Sequence, residues 1–207
     1  MIIFIRHAPT ILNINNQLQG SGTNEHILPE YVSAVEEIKN KLKQYNYTDV
    51  YASDSNRAMQ TAKIFNENVK VDKRLNEPNF GIFDGMDHDE VQKHPIYKEW
   101  TDDKWNYDKH GIEPWRNIYN KITDFIQEKD NVLCVTHATL LKILYLECKL
   151  REQNKSLKEF GSKINWYNYR KVEPYIKNLD YFIIDENMKI IETNLIEKSF
   201  FIKDLML

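Results

Sequence analysis

Residues 4–13 read FIRHAPTILN, and Met1 to Ile3 extend the apolar run on its N-terminal side. Ile2-Ile3-Phe4-Ile5 is a continuous β-branched and aromatic stretch. That is the pattern of a strand buried on both faces, as in a parallel sheet. The run stops at Arg6-His7, and the polar Thr10 and Asn13 follow. Arginine carries a forked donor that matches phosphate oxygens. Histidine supplies a nucleophile or general base near neutral pH. A single Arg-His pair at a strand end is commonplace, so its meaning depends on partners elsewhere in the chain.

The strongest partner lies far downstream. Val132-Leu133-Cys134-Val135-Thr136 is a second strongly buried strand, and it also ends in a histidine, His137-Ala138-Thr139. An apolar helix over Leu140 to Cys148 is expected to follow, and its N-terminus would bring backbone N–H groups and a positive dipole to the same place. Between the two strands, Asp49 to Ala52 reads as a short strand. Ser53-Asp54-Ser55 offers caps for a helix over about Asn56 to Asn66, with Arg57 in its first turn. An arginine there is ordinarily solvent-facing, but strand, short turn and helix start is where α/β sheets present ligand groups. Glu77, before Pro78, is biased toward an extended loop. Beside Phe80, Ile82 and Phe83 a carboxyl would feel desolvation, which raises its pKa as an acid catalyst requires.

The remaining segments are read more coarsely. Residues 14–26 form a polar loop with Gln19-Gly20 and Gly22. Leu28 to Tyr45 is an amphipathic helix with Val32, Val35, Ile38 and Leu42 on its apolar face. Val69 to Leu75 is a weak strand or an extended connection, and Pro114 to Glu128 a further amphipathic helix. Residues 86–115 are expected to form a lid or insertion, with Trp100, Trp105 and Trp115 as a satellite core or pocket wall. Residues 151–177 are an elaboration carrying seven Lys or Arg against three Asp or Glu, interleaved with Phe160, Trp166, Tyr167, Tyr169 and Tyr175. That segment suits a flap over an anionic substrate, a partner surface, or a solvated face with packed rings. Asp180 to Asp185 and Lys189 to Asn194 read as two strands joined by a turn. The tail FFIKDLML is expected to pack or to support a homodimer.

Composition narrows the function classes. The 207 residues carry a net charge of −3, so nothing global favours nucleic acid or an anionic membrane. No stretch reaches the roughly 20 apolar residues of a membrane span. The first residues lack the pattern of a secretory leader, and Cys134 and Cys148 both sit in apolar segments. A cytoplasmic location is expected. His88, His94 and His110, with Asp102 and Asp103, match no metal spacing, so no metal and no cofactor are expected.

Taken together, these motifs resemble the histidine phosphatase superfamily, in its phosphoglycerate-mutase-like branch. FIRHAPTILN is similar to that family's opening Arg-His-Gly motif followed by Thr and Asn. Gln19-Gly20 resembles the next substrate-loop element. YASDSNRAMQTA resembles the segment of the second arginine, LNEPNFGIFDG that of the acid residue, and VLCVTHATLL that of the second histidine. The resemblance spans about residues 1 to 150, with the strand pair near 180 to 194 also fitting. It departs at Ala8 and Ala138, where glycine is usual. If position 8 needs a positive φ or very close phosphate approach, alanine there would cost activity.

The resemblance implies a phosphoryl transfer through the protein. His7 would attack phosphorus and become phosphohistidine, its other nitrogen held by a backbone carbonyl. Arg6, Arg57 and His137 would surround the non-bridging oxygens, and Asn13 would donate a further hydrogen bond. Gln19, Gly20 and Ala138 would complete the phosphate or substrate site. Glu77 would protonate the leaving oxygen and then activate water. Hydrolysis of a phosphomonoester is the expected outcome, on a small phosphorylated metabolite or a phosphoprotein. A phosphomutase and a catalytically weak phosphate-binding scaffold are the alternatives. The expected architecture is one α/β domain over residues 1–207. It is a three-layer α/β/α sandwich with a mainly parallel sheet, phosphoglycerate-mutase-like, and with its site at the strands' carboxyl ends.

Overall fold

In the computed structural model, which describes residues 1–166, 168–169 and 174–195, the run Ile2–Arg6 is β1, near the middle of a six-stranded sheet. The other strands are β2 (Asp49–Ala52), β3 (Val69–Val71), β4 (Val132–Thr136), β5 (Tyr181–Ile184) and β6 (Ile190–Thr193). Their order is β3-β2-β4-β1-β5-β6. The first four are mutually parallel, and β5 and β6 add antiparallel at one edge.

The helices are α1 (Ile11–Ile14), α2 (Val32–Leu42), α3 (Asn56–Phe65), α4 (His88–Lys93), α5 (Tyr97–Asp102), α6 (Trp115–Glu128), α7 (Ala138–Arg151) and α8 (Leu157–Phe160). Alternation along β1 builds two cores. Ile2 and Phe4 pack with α6 and α7, while Ile3 and Ile5 pack with α2 and α3 on the opposite face. The expected three layers and mainly parallel sheet are present.

Several local expectations shift. Thr10 and Asn13 form a capping box, which folds a single turn, α1, from what reads as loop. α7 is longer than the apolar run Leu140 to Cys148, because both ends find polar partners. Glu77 accepts from its first N–H groups, and Arg151 in its last turn pairs with buried Glu147 at 2.8 Å. β3 is short, and Lys73–Leu75 turns as a 3-10 helix after it. Val32 is exposed at 39%, because the chain enters α2 through a 3-10 turn and the buried face begins at Val35.

The three tryptophans divide between two clusters. Trp100 joins Phe80, Phe83, Val91, Tyr107 and Ile112 in a small satellite core, while Trp105 and Trp115 belong to the α6–α7 core. The basic aromatic segment contributes Trp166 and Tyr169 to that same core. Trp166 stacks on Trp105 with centroids 6.1 Å apart, meets Trp115 edge-on and donates its indole N–H to the carbonyl of Gly161. Only Tyr175 of the described rings there is broadly exposed. Tyr167 and the tail FFIKDLML lie outside the described residues. Among the described residues no helix is long and apolar enough to cross a membrane.

Trp166 is the keystone of this packing. Trp166→Ala is expected to lower stability in urea unfolding by about 3–5 kcal/mol, the usual cost of deleting a fully buried large ring. A loss within the noise of a surface substitution would show that the segment is only laid on the core.

Candidate active site

Arg6 pairs with Thr136 across the β1–β4 ladder, and the next residue on each strand is a histidine. The His7 N–H continues the ladder to the Thr136 carbonyl at 3.0 Å. Both imidazoles are therefore delivered to the same edge of the sheet, with ring centroids 5.1 Å apart and both rings buried.

The Nδ1 of His7 lies 2.7 Å from the Ala8 carbonyl. A carbonyl only accepts, so Nδ1 carries the proton and Nε2 keeps its lone pair. Asn178 braces this arrangement, its Nδ2 donating to the His7 carbonyl at 2.9 Å and to Asn13 Oδ1 at 3.2 Å. Burial, and then the neighbouring Arg6 and Arg57, hold the His7 pKa well below its ordinary value, so the ring is neutral near pH 7.

Arg57 sits in the first turn of α3, which Ser55 caps. It is completely buried, against the usual expectation for such a position. Its Nε donates to His137 Nδ1 at 3.3 Å, and its two terminal nitrogens donate to the carbonyls of Thr23 at 2.9 Å and Gly20 at 3.1 Å. With Nδ1 accepting, His137 carries its proton on Nε2, which donates to Ser53 Oγ at 2.9 Å. Burial, then Arg57, His7 and Arg6, push the His137 pKa well down. Arg6 donates from Nη1 to the Ile176 carbonyl at 2.7 Å, while its buried Nε has no partner among the described residues.

Glu77 is the acidic counterpart. Its carboxyl oxygens accept from the Thr139 N–H at 3.0 and 3.1 Å and from the Leu140 N–H at 3.4 Å. Residue 77 thus does for α7 what a capping side chain would, since His137 at the cap offers no side-chain bond. Burial raises the Glu77 pKa, and the bonds from Thr139 together with Arg57 and Arg6 oppose it without cancelling it.

These residues divide over two hollows. Arg6, His7, Asn13, Gln19, Glu77 and Ala138 all line a cavity of about 420 Å³. Arg57 and His137 line a second, of about 300 Å³, which shares Glu77 with the first. Gln19 is held by its Nε2 on Thr10 Oγ1, and its Oε1 is buried without a partner among the described residues. Asn13 spends its carbonyl oxygen on Thr10 and Asn178, and its amide nitrogen has no partner among the described residues. Gly20 lines neither hollow: its N–H goes to Asp84 at 2.6 Å and its carbonyl accepts from Arg57. A Cβ at that position would collide with the Asp84 carboxylate and the Pro78 carbonyl.

Several residues of the site carry no decisive sequence signal. Asp84 pins the loop by accepting from Gly20, Gly22 and Phe80; its place before Gly85 in FGIFDG is the available hint. Ser53 reads as a helix cap but serves His137, leaving the cap to Ser55. Thr61 accepts the Ala8 N–H at 2.9 Å, a contact across 53 positions. Asn178 sits in a segment with no motif. Lys142, His88 and Tyr175 also line the larger cavity. Among the described residues no three His, Cys, Asp or Glu side chains group as a metal would need.

The model of the histidine phosphatase superfamily, branch 1, matches residues 2–168. The chain belongs to that superfamily. Among its relatives, the fructose-2,6-bisphosphatase of Saccharomyces cerevisiae is 28% identical over 146 residues, covering 68% of this chain. The chain spans only 32% of that protein's length. Phosphoglycerate mutase-like protein 4 of Arabidopsis thaliana is 26% identical over 163 residues, 70% of this chain and 69% of that one. The crystal structure of a phosphoglycerate mutase from Thermus thermophilus superposes with a TM-score of 0.67 at 17% identity, over 93% of this chain and 96% of that one. That likeness establishes the fold.

The question raised by Ala8 has a structural answer. Its φ is not positive, its methyl is fully buried in the α2–α3 core, and its N–H is used by Thr61. Ala8→Gly is therefore expected to lower stability by about 1 kcal/mol, through lost burial and added backbone freedom. On the hydrolase reading proposed below, it should bring no gain in turnover of a phosphomonoester. A severalfold gain would show that the methyl obstructs the phosphoryl group.

Proposed function

We propose that the protein hydrolyses a small phosphomonoester through a phosphohistidine on His7. The observation that carries this is the His7 tautomer. The 2.7 Å bond from Nδ1 to the Ala8 carbonyl leaves Nε2 as a neutral nucleophile at the wall of a cavity it shares with Arg6 and Glu77. Two arginines and one carboxyl make the surroundings favour an anion.

In the first step Nε2 attacks phosphorus, the bond to the leaving oxygen breaks, and the carboxyl proton of Glu77 passes to that oxygen. In the second, water attacks phosphorus, its proton returns to Glu77, the N–P bond breaks and inorganic phosphate leaves. Arg6 and Arg57 stabilise the charge on the non-bridging oxygens. His137 fixes Arg57 through Nε and, on turning its Nε2–H away from Ser53, donates to the phosphoryl group. Asn13 offers its amide nitrogen and Gln19 lines the same wall. The size of the cavity suits a small metabolite rather than a folded phosphoprotein.

The test is turnover of a panel of sugar bisphosphates, phosphoglycerates and aryl phosphates, with chelator present and acid-labile phosphoenzyme trapped. His7→Ala should lose both label and turnover while remaining folded. Glu77→Gln should lose about 10²–10⁴-fold on poor leaving groups. Release of phosphate should outpace formation of an isomer on phosphoglycerates. Isomerisation outpacing release would make the protein a mutase, and tight phosphate binding without turnover would make it a binding protein.

The pH dependence follows from the two opposed shifts. Activity needs His7 neutral and Glu77 protonated. Since the His7 pKa is held well below 6.5, the acid limb of kcat/KM falls well below pH 6.5; since Glu77 is raised, the alkaline limb lies above pH 4.5. In Glu77→Gln the alkaline limb should vanish while the acid limb stays. Persistence of both limbs would remove Glu77 as the acid.

A further inference from the structure

Where β1 ends, the way its backbone is held changes. The peptide joining Arg6 to His7 is held by backbone alone. It donates its N–H to the Thr136 carbonyl at 3.0 Å and accepts the Leu179 N–H at 3.1 Å. The next peptide, joining His7 to Ala8, lies past the ladder, and two side chains hold it instead. Its carbonyl, that of His7, accepts from Asn178 Nδ2 at 2.9 Å. Its N–H, that of Ala8, donates to Thr61 Oγ1 at 2.9 Å. Thr61 lies within α3, and Asn178 precedes β5.

The hydrogen bonds of this clamp fix its polarity. Thr61 is fully buried, and its one proton goes to the Arg57 carbonyl at 2.7 Å, so its oxygen meets Ala8 only as an acceptor. Asn178 faces two oxygens that can only accept, the His7 carbonyl and Asn13 Oδ1 at 3.2 Å, and its Nδ2 has one proton for each. Its 3.5 Å approach to His7 Nδ1 adds no comparable bond, since those protons are already taken. One peptide is thus tied at one end to the turn that carries Arg57 and at the other to Asn13.

That peptide also governs where the Ala8 carbonyl points, because only the φ and ψ of Ala8 lie between them. Pro9 keeps the residue before it out of the helical range, and the Ala8 methyl is fully buried in the α2–α3 core. The carbonyl so placed stands 2.7 Å from His7 Nδ1. Which imidazole nitrogen carries the proton depends on what the other can bond. On the reading that His7 takes the phosphoryl group, we propose that Thr61 and Asn178 are paired positioning residues. Together they hold the His7–Ala8 peptide so that the Ala8 carbonyl keeps the proton on Nδ1 and leaves Nε2 free to attack. Thr61 lines neither hollow of the site, and it acts on the nucleophile only through this peptide.

The experiment compares the wild-type chain with Thr61→Val, Thr61→Ser, Asn178→Ala and the double variant Thr61→Val/Asn178→Ala. Nitrogen NMR of the imidazoles reports which nitrogen is protonated, and His7 among the six histidines is identified by its loss in His7→Ala. Rapid quench measures phosphoenzyme formation from 4-nitrophenyl phosphate, and calorimetry measures binding of inorganic phosphate. In Thr61→Val and Asn178→Ala the His7 proton should pass partly to Nε2, and phosphoenzyme formation should slow by about 10- to 100-fold, as a misdirected nucleophile does. In Thr61→Val phosphate affinity should not fall, because an Nε2–H would donate to the anion. Thr61→Ser keeps the hydroxyl and should restore both the tautomer and the rate. The double variant should be little slower than the slower single one, since releasing either end already frees the peptide.

An unchanged His7 tautomer in both single variants would overturn the clamp and leave the hydrolase reading standing. Losses that multiply in the double variant would overturn it too, because the two side chains would then act independently. So would a phosphate affinity in Thr61→Val that falls in step with the rate, the mark of general structural support. No phosphoenzyme from the wild type, with the tautomer shifting in the variants as expected, would overturn the hydrolase reading and keep the clamp. If Thr61→Val fails to fold, the tautomer in Asn178→Ala decides alone.

Discussion

The pairing of Arg6 with Thr136 is the constraint from which the rest of the site follows. In a parallel ladder both strands end at the same edge, so residues just past the pair are neighbours in space though 130 apart in sequence. A slip of one position would send every core side chain to the wrong face, exchanging the α6–α7 core for the α2–α3 core. The two cores therefore lock the register, and the register locks the distance between the imidazoles. Precision at the site is borrowed from burial on both sides of β1, not generated locally.

That position carries an electrostatic cost. Two guanidiniums and two imidazoles are withdrawn from water with a single carboxyl among them. The chain meets this with backbone dipoles more than with counter-charges. Carbonyls of Thr23, Gly20, Ile176 and Ala8 take the N–H groups of Arg57, Arg6 and His7, and the N-terminus of α7 holds Glu77. Carbonyls orient cations without neutralising them, so an excess of positive charge survives, and the imidazoles respond by staying neutral. On the proposed reading, an arriving phosphate dianion would supply the missing charge. The same arrangement explains why the loop around Gly20 is tied so firmly by Asp84: a displaced carbonyl there would release Arg57.

How much of this the sequence discloses depends on the range of the interaction. β1, β4, the cap at Ser55 and the helix starts are local patterns, and they are readable. Arg6, His7, Arg57, Glu77 and His137 are readable as members of a set, because each stands at the end of such a pattern. What stays hidden is the polar bracing. Nothing near Thr61 announces a bond to Ala8, and nothing near Asn178 announces a bond to His7, since both contacts exist only once distant elements have docked. At Gly20, too, a contact between docked segments stays hidden. A glycine in a substrate-loop motif suggests backbone approach to the ligand, whereas the approach that forbids a side chain there is to Asp84 and Pro78. The α1 turn escapes a sequence reading because Asn13 reads as a ligand group when it also closes a capping box with Thr10.

The molecule separates two tasks physically. The candidate site sits where the central strands end, on backbone that both cores hold in place. Part of the wall of the larger cavity comes instead from α4, through His88, Asp89 and Gln92, and from Phe80 of the satellite core. A small cluster tolerates replacement of its rings better than the sheet tolerates a change of register, because fewer partners depend on each side chain. On the proposed hydrolase reading, the cavity wall can then change while His7, its tautomer and the two arginines stay fixed.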